Sequence, residues 1–576
     1  MATEELVTEQ FELLGIDVQK EILPKCVSLC NEYNIDAESF VEQWMAFSCL
    51  NKIPLTLKNL EILEKKEFSK LTAKGNNALT DDINTGTSLA VYGGTFLLSI
   101  FKCFLLLLFQ KIKVETEKVL DHANELEPTT YSPSTGHSTK FASRTNAGTV
   151  VHSFGDEHLL QILAKHIGSN DASNLNITQI PNEDGDIFTK ATIGFELLQE
   201  KASIFDNHIR YLSACIMRKA GISDITSFRT KSQTEVTVAG RIECDADARL
   251  NPKSVVLQGT WQESLSQTVS VDLDHLKQYS LFSGQVVVMR GINPRGDKFV
   301  AHEVFSDAAL PADSNITLKD NVSMVVAAGP YTTSDNMTYE PLKELISYIK
   351  AHKPSVVIMT GPFMDSEHCK VKDKSLASPY KSFFDKLIDS LGELHNMSPG
   401  TKVYIISNYK DAFHINVYPT LAYTTRKKHP NIQFVPDPCT LNINGVVFGI
   451  TSVDVLMQIS QEEISLGVGG DKLSRLSSHV LSQQSYWPAT EGSGSAGVSA
   501  PPIDAALWVA HAQLPRTPHI LVLPSRFRYF IKEVNGTVVV NPEYLTKGTG
   551  GGTFARILLT AGEDISKSIA AQIIRI

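Results

Sequence analysis

Val325-Val326-Ala327-Ala328-Gly329-Pro330-Tyr331-Thr332-Thr333 decides the fold of this chain. An apolar run that ends in Gly-Pro reads as a buried strand stopped by a turn. Leu342, Leu345, Ile346 and Ile349 follow at the spacing of one helix face. A second apolar run, Ser355-Val356-Val357-Ile358-Met359-Thr360, leads into Gly361-Pro362-Phe363-Met364-Asp365. Strand, helix, strand, with a loop at each strand's C-terminal end, is the βαβ pattern, and that edge is where the catalytic loops of α/β sheets sit. Here the two loops carry Gly-Pro pairs and almost none of the groups that catalysis needs.

Downstream, the α/β pattern continues with strands at 402–407, 432–435, 519–523 and 537–540, and a last pair at 551–559 and 571–576. Asn444-Gly445 is the turn of a hairpin over 440–450. A Ser/Gly/Ala/Pro-rich stretch from about 485 to 503 reads as a mobile surface loop. Upstream, 233–307 is a run of five short strands, with a helical piece (Leu273, Leu276, Tyr279) expected between the third and fourth. That is the plan of an OB barrel. Such barrels bind single strands through basic residues and stacking aromatics. This one offers Trp261 and Phe299, but no basic, aromatic-studded face can be assembled from the sequence, so protein contact or scaffolding is favoured.

Residues 1–75 read as a small helical, partner-docking domain, with Gly15 and Asp36 as caps and apolar stripes through Ile22, Leu23, Val27, Leu29, Phe40, Val41, Trp44, Leu57, Leu60 and Leu63. Cys26 and Cys30 lie one turn apart without further ligands nearby, which favours core packing over zinc. Residues 76–150 read as a flexible linker interrupted by Ser88–Phe109, an apolar stretch long enough to span a bilayer. A membrane segment, a buried helix and a gene-model artefact all remain open for it. Ser132-Pro133 is a minimal proline-directed phosphorylation site in the tether. Residues 151–232 are mixed, with a helix expected around Phe195–Arg218.

The 576 residues call for several domains at roughly 150 residues each. With 42% hydrophobic and 20% charged residues the composition is globular, and the net charge of −10 argues against free-standing DNA binding while leaving room for a local basic patch. Eight scattered cysteines fit reduced thiols in a cytosolic or nuclear protein, and the acidic N-terminus has no signal-peptide pattern.

Several phrases carry a resemblance: Gly329–Asp335, Gly361–Asp365, Tyr279–Val287, Asn444–Ser452, Arg528-Tyr529-Phe530, Leu545–Gly548 and Gly551–Arg556. From about residue 230 onward the chain resembles the B subunits of the DNA polymerase alpha–primase complex. The resemblance implies a multidomain protein: an N-terminal helical bundle, an OB-fold barrel and, over 308–576, an α/β calcineurin-like phosphoesterase domain that is inactive. Active relatives of that fold hold two metals through D-x-H, G-D-x-x-D, G-N-H, a lone His and G-H-x-H, and a dinuclear centre needs nearly the whole set. Here the first motif is Ala327-Ala328-Gly329-Pro330-Tyr331, Pro362 replaces the bridging Asp, and Ser407-Asn408-Tyr409 stands for G-N-H. Around Leu523-Pro524-Ser525-Arg526, where the last motif falls, the ligands are missing. Asp365 and Asn408 are degenerate remnants, so no catalytic residue, metal or cofactor is expected. His368 and His414 are read as hydrogen-bonded rather than metal-ligating, and Tyr331, Thr332 and Thr333 as satisfying turn backbone. The implied role is a nuclear, non-catalytic scaffold that binds the C-terminal domain of the catalytic subunit and sits with the primase subunits. Its N-terminal domain meets other replication factors, DNA contact is indirect or weak, and no membrane role is expected. The rivals are an active metallophosphoesterase and a single-pass membrane protein.

Overall fold

In the computed structural model the described residues are 6–8, 11, 22–32, 40–41, 44, 56–64, 138–165, 175–181, 192–246, 248–311, 318, 320–374, 376, 378–489, 500–562 and 565–576. Ser88–Phe109, Ser132, Gly15 and Asp36 lie outside them. The chain divides into two units, 1–59 with 137–576, and 60–136. Among the described residues no helix is long and apolar enough to cross a membrane.

The quoted run becomes the strand Val322–Ala328, every residue of which is buried. It sits in a seven-stranded sheet whose spatial order is Val150–Phe154, Ile569–Arg575, Thr553–Leu559, Val322–Ala328, Val356–Thr360, Lys402–Ile406 and Ile432–Val435. The last four strands run parallel and the final hairpin joins them antiparallel. A second sheet has the order Phe530–Val534, Thr537–Asn541, Ile520–Val522, Val446–Ile450, Cys439–Ile443 and Ile177–Gln179. Strand side chains alternate in direction, and both faces of each sheet are used. Val326, Ile358 and Ile406 meet Leu441, Phe448 and Val540 between the sheets. Val325, Val357 and Ile405 face Leu345 and Ile349 of the helix Glu340–His352 and Phe384 of Tyr380–Gly392. Leu521 and Val539 face the helices Val455–Glu462 and Lys472–Ser482. The result is four layers, helix, sheet, sheet, helix. Asn444 and Gly445 both take positive φ (50° and 93°), as a tight hairpin turn requires.

The five expected barrel strands close into a barrel in the order Ser232–Cys244, Val255–Gln258, Thr268–Asp272, Lys298–Phe305, Val286–Asn293. The helical piece expected at Leu273–Tyr279 is not a helix. Leu273, Leu276 and Tyr279 are buried from successive turns, and Tyr279–Leu281 is a short strand. Among the described residues the one short helix in this part is Trp261–Ser264, between the second and third strands. Phe299 is fully buried in the barrel core, so it offers no stacking face. The long helix is Leu198–Ala220, packed on the barrel through Ile209, Leu212 and Ile216.

Three stretches differ from expectation. The linker is folded from Ser138 on: Phe141 is buried, Arg144 lies over its ring and donates to the Ile576 carbonyl. Residues 151–232 are more than support, since Val150–Phe154 and Ile177–Gln179 supply an edge strand to each sheet. The expected surface loop at 485–503 begins inside the protein, where Tyr486 and Trp487 are buried and anchor it. In the N-terminal part, helices Leu23–Glu32 and Leu57–Leu63 form, and Cys26 and Cys30 are buried. Burial pushes the Cys26 thiol up to about 12, which suits an inert core thiol.

Barrel and sandwich are joined by main chain and by charge. Tyr279–Leu281 pairs antiparallel with Ile464–Leu466. Next to this pair, buried Glu463 accepts from Arg475 Nε at 2.8 Å and Nη2 at 3.1 Å, from the Ser280 hydroxyl, and from His479 Nε2 at 3.2 Å. Gln483 adds a second tie, accepting from Val286 N–H at 2.8 Å and donating to Val286 and Ser306 carbonyls.

Candidate functional site

The candidate site is the edge where the parallel strands of both sheets end. Its loops follow Ala328, Thr360, Ile406, Ile450, Val522 and Asn541. The Gly-Pro pairs are there for close approach. A Cβ on Gly329 would stand 2.1 Å from the Pro362 carbonyl oxygen, and one on Gly361 would meet Asn408, Tyr423 and Asp411 within 2.8 Å. Both peptide bonds are cis.

The first loop is filled by an aromatic ring. Tyr331 is fully buried, stacks on Phe363 at 4.6 Å, and donates to the carbonyls of Ala327 and Thr360 at 3.1 and 3.0 Å. In the second loop Asp365 is half-buried and accepts from the Glu367 N–H at 2.9 Å in an Asx turn. Asn408, in the third, is buried. It donates to the Ser452 carbonyl and hydroxyl at 3.1 and 2.9 Å and accepts from Lys410 N–H at 2.8 Å. Asp365 therefore braces its own loop, and Asn408 ties its loop to the one that follows Ile450.

Two carboxylates that the sequence did not single out are the centre of this edge. Asp411 is buried and accepts from the N–H groups of Phe363 and Met364 at 2.8 and 2.6 Å and from the Tyr423 hydroxyl. Asp437 accepts from Ser452 N–H at 2.8 Å and its hydroxyl at 2.6 Å. Burial pushes each carboxyl up to about 7, against the hydrogen bonds that favour the charged form. A lone Asp inside a stretch such as Val435-Pro436-Asp437-Pro438-Cys439 was the available signal.

Where the last ligand motif would fall, Arg526 N–H donates to Asp454 Oδ2 at 2.8 Å, and the Tyr544 hydroxyl donates to the same oxygen at 3.2 Å. Lys410 lies nearby, its pKa lowered by burial and then by the Arg526 charge. Two cations, two buried braces and three tyrosines thus occupy the edge. These residues do not fit a dinuclear metal centre, whose ions need several open carboxylate and imidazole donors. Among the described residues no group of three His, Cys, Asp or Glu side chains could hold a metal. His368 donates to the Thr333 carbonyl at 3.0 Å and accepts from Lys370 N–H, and His414 donates to the Leu421 carbonyl at 2.7 Å. Both histidines are structural.

Sequence comparison agrees with this architecture piece by piece. Residues 324–532 match the family of DNA polymerase alpha/epsilon B subunits. Residues 202–307 match the OB domain of DNA polymerase alpha B subunits, and 4–70 match their N-terminal family. The B subunit of mouse DNA polymerase alpha is 33% identical over 610 residues, with all of both chains covered. Its Drosophila melanogaster namesake is 28% identical over 624 residues, again end to end, and the Saccharomyces cerevisiae one is 27% identical over 416 residues, covering 62% of this chain and 59% of its own. The residues that build the barrel and most of the sandwich are thus those of the class of DNA polymerase B subunits. Within that class, the chain belongs to the family of DNA polymerase alpha B subunits, accessory components of a replicative polymerase.

Proposed function

We propose that this chain is the non-catalytic scaffold of a DNA polymerase alpha–primase complex in the nucleus. Its OB barrel and its sandwich, an inactive domain of the calcineurin-like phosphoesterase type, together hold the C-terminal domain of the catalytic subunit and so support primer synthesis at initiation. The 1–75 domain docks other replication factors and the primase subunits share the assembly. Ser132 is the candidate position at which phosphorylation tunes that docking. The observation that carries the reading is the strand edge itself: Asn408, Asp411 and Asp437 are buried and committed to Ser452, Tyr423 and backbone N–H groups. A hydrolytic site needs such groups turned toward substrate.

Co-expression with the C-terminal region of a polymerase alpha catalytic subunit tests this. Affinity capture followed by gel filtration is expected to give a stable one-to-one complex. Separate elution of two folded, soluble proteins would leave only a shared fold. Turnover of a generic phosphodiester by the metal-supplemented chain, abolished in Asp365→Ala, would overturn the non-catalytic part.

A further inference from the structure

One end of the barrel gathers groups that the sequence scatters over 70 residues. Where Ser232 pairs with Asn293, three turns meet: 227–231, 259–267 and 294–297. Asn293 is fully buried and ties two of them, donating to the Phe228 carbonyl and accepting from Gly296 N–H at 2.8 Å. Gly259 lies directly against the Phe228 ring and Ser264, which brings in the third. These braced turns carry Arg229, Lys231 and Arg295, all exposed. Among the described residues none of the three is paired with a carboxylate, whereas neighbouring Lys298 is held by Asp272 at 2.6 Å. On the 259–267 turn Trp261 is 62% exposed, with its backbone N–H fixed by Asp206 Oδ1.

An exposed indole and unpaired cations on turns that meet at one end of a closed five-stranded barrel are the chemistry that holds single strands: cations track phosphates and the ring stacks on a base. Three carboxylates share this end, Glu263, Asp297 and Asp206, the last already paired with Arg210, so the local positive surplus is small and the contact is weak and salt-sensitive. We propose that this barrel end is a contact surface for single-stranded nucleic acid, with phosphates at Arg229, Lys231 and Arg295 and a base on Trp261. The surface is separate from the strand edge that carries the scaffold reading and does not depend on it.

The test is fluorescence anisotropy of labelled oligo(dT) with the full chain. Binding is expected in the roughly 1–100 μM range of non-specific contacts, weakening about 18-fold between about 50 and 200 mM salt if three phosphates are engaged. Combined Arg229→Ala, Lys231→Ala and Arg295→Ala removes most of that salt dependence. Trp261→Ala alone weakens binding at least about fivefold, and blunt duplex of the same length binds less well. Lys427→Ala with Lys428→Ala, exposed on the sandwich, leaves binding unchanged. No binding by the parent chain at low salt overturns the proposal, as does equal binding by the triple variant or equal preference for duplex. The triple variant still co-elutes with the C-terminal region of the catalytic subunit, so failure here and failure of the scaffold reading give different results.

Discussion

Asp411 and Glu463 are both buried carboxylates in the same sandwich, and their surroundings push them in opposite directions. Asp411 faces two N–H groups and a tyrosine hydroxyl, with no cation among these hydrogen-bond partners, and burial raises its pKa to about 7. Glu463 faces Arg475 and His479, and their hydrogen bonds and charge hold its carboxyl well below the usual carboxylate range despite burial. The first group braces loops within one domain. The second, through Ser280, ties that domain to the barrel. Burial alone does not set the role of a buried acid; the partner does.

Glu463→Ala should have the largest effect. Removing one member of a buried ion cluster takes the shared carboxylate away from Arg475 and His479, at a cost on the order of 3–5 kcal/mol. In scanning calorimetry the barrel and the sandwich should then unfold as separate transitions. A single transition at the parental temperature would mean that the strand pair and Gln483 hold the junction without the charge.

The next test uses pH. Because the folded-state pKa of Asp411 is raised, its contribution to stability is full below the unfolded carboxylate's pKa of about 3.9 and is lost as pH rises through about 7. Glu463 has the opposite sign: its contribution is full above an unfolded pKa of about 4.3 and is lost as pH falls below that. Urea midpoints measured from pH 5 to pH 8, a window set by these two directions, should fall at the alkaline end. Asp411→Asn should flatten that fall, by an amount on the order of 2–3 kcal/mol between the ends of the window. An unchanged slope would show that other groups carry the pH dependence. The smallest effect belongs to Asp365→Ala, a half-buried Asx turn, which should stay within about 0.5 kcal/mol of the parent. A loss of several times that would make Asp365 more than a remnant.

The strands of both the barrel and the sandwich were legible because buried β runs and turn residues act locally, as at Val356–Thr360 and Asn444-Gly445. The residues at Leu273, Leu276 and Tyr279 misled because three buried anchors on successive turns repeat at a helical spacing without helical backbone. Trp487 shows the same difficulty from the other side: a Ser-rich, Gly-rich neighbourhood hid a buried indole. The positions of Asp365 and Asn408 on loops could be read, since they sit next to recognisable Gly-Pro and strand signals. Asp411 and Asp437 were missed because a single carboxylate carries no periodicity, and only packing shows that it lies inside. The barrel-end cations were missed for a topological reason, since Arg229 and Arg295 meet only when strands some 60 residues apart pair at Ser232 and Asn293.

The seven-stranded sheet also sets an order in time. All five barrel strands lie between residues 232 and 305, so the barrel can close soon after its last strand leaves the ribosome. The sheet cannot: Val150 pairs with Ile574, and Val322–Ala328 waits for Thr553–Leu559. At about 5–20 residues per second, translation from the end of the barrel to the final strand takes roughly a quarter of a minute to a minute. From its own synthesis until Thr553–Leu559 arrives, the edge of Val322–Ala328, apolar but for Ser323, is an unpaired template of the kind that aggregates. The sandwich, unlike the barrel, therefore has to keep an open strand edge from pairing wrongly until the last residues of the chain are made.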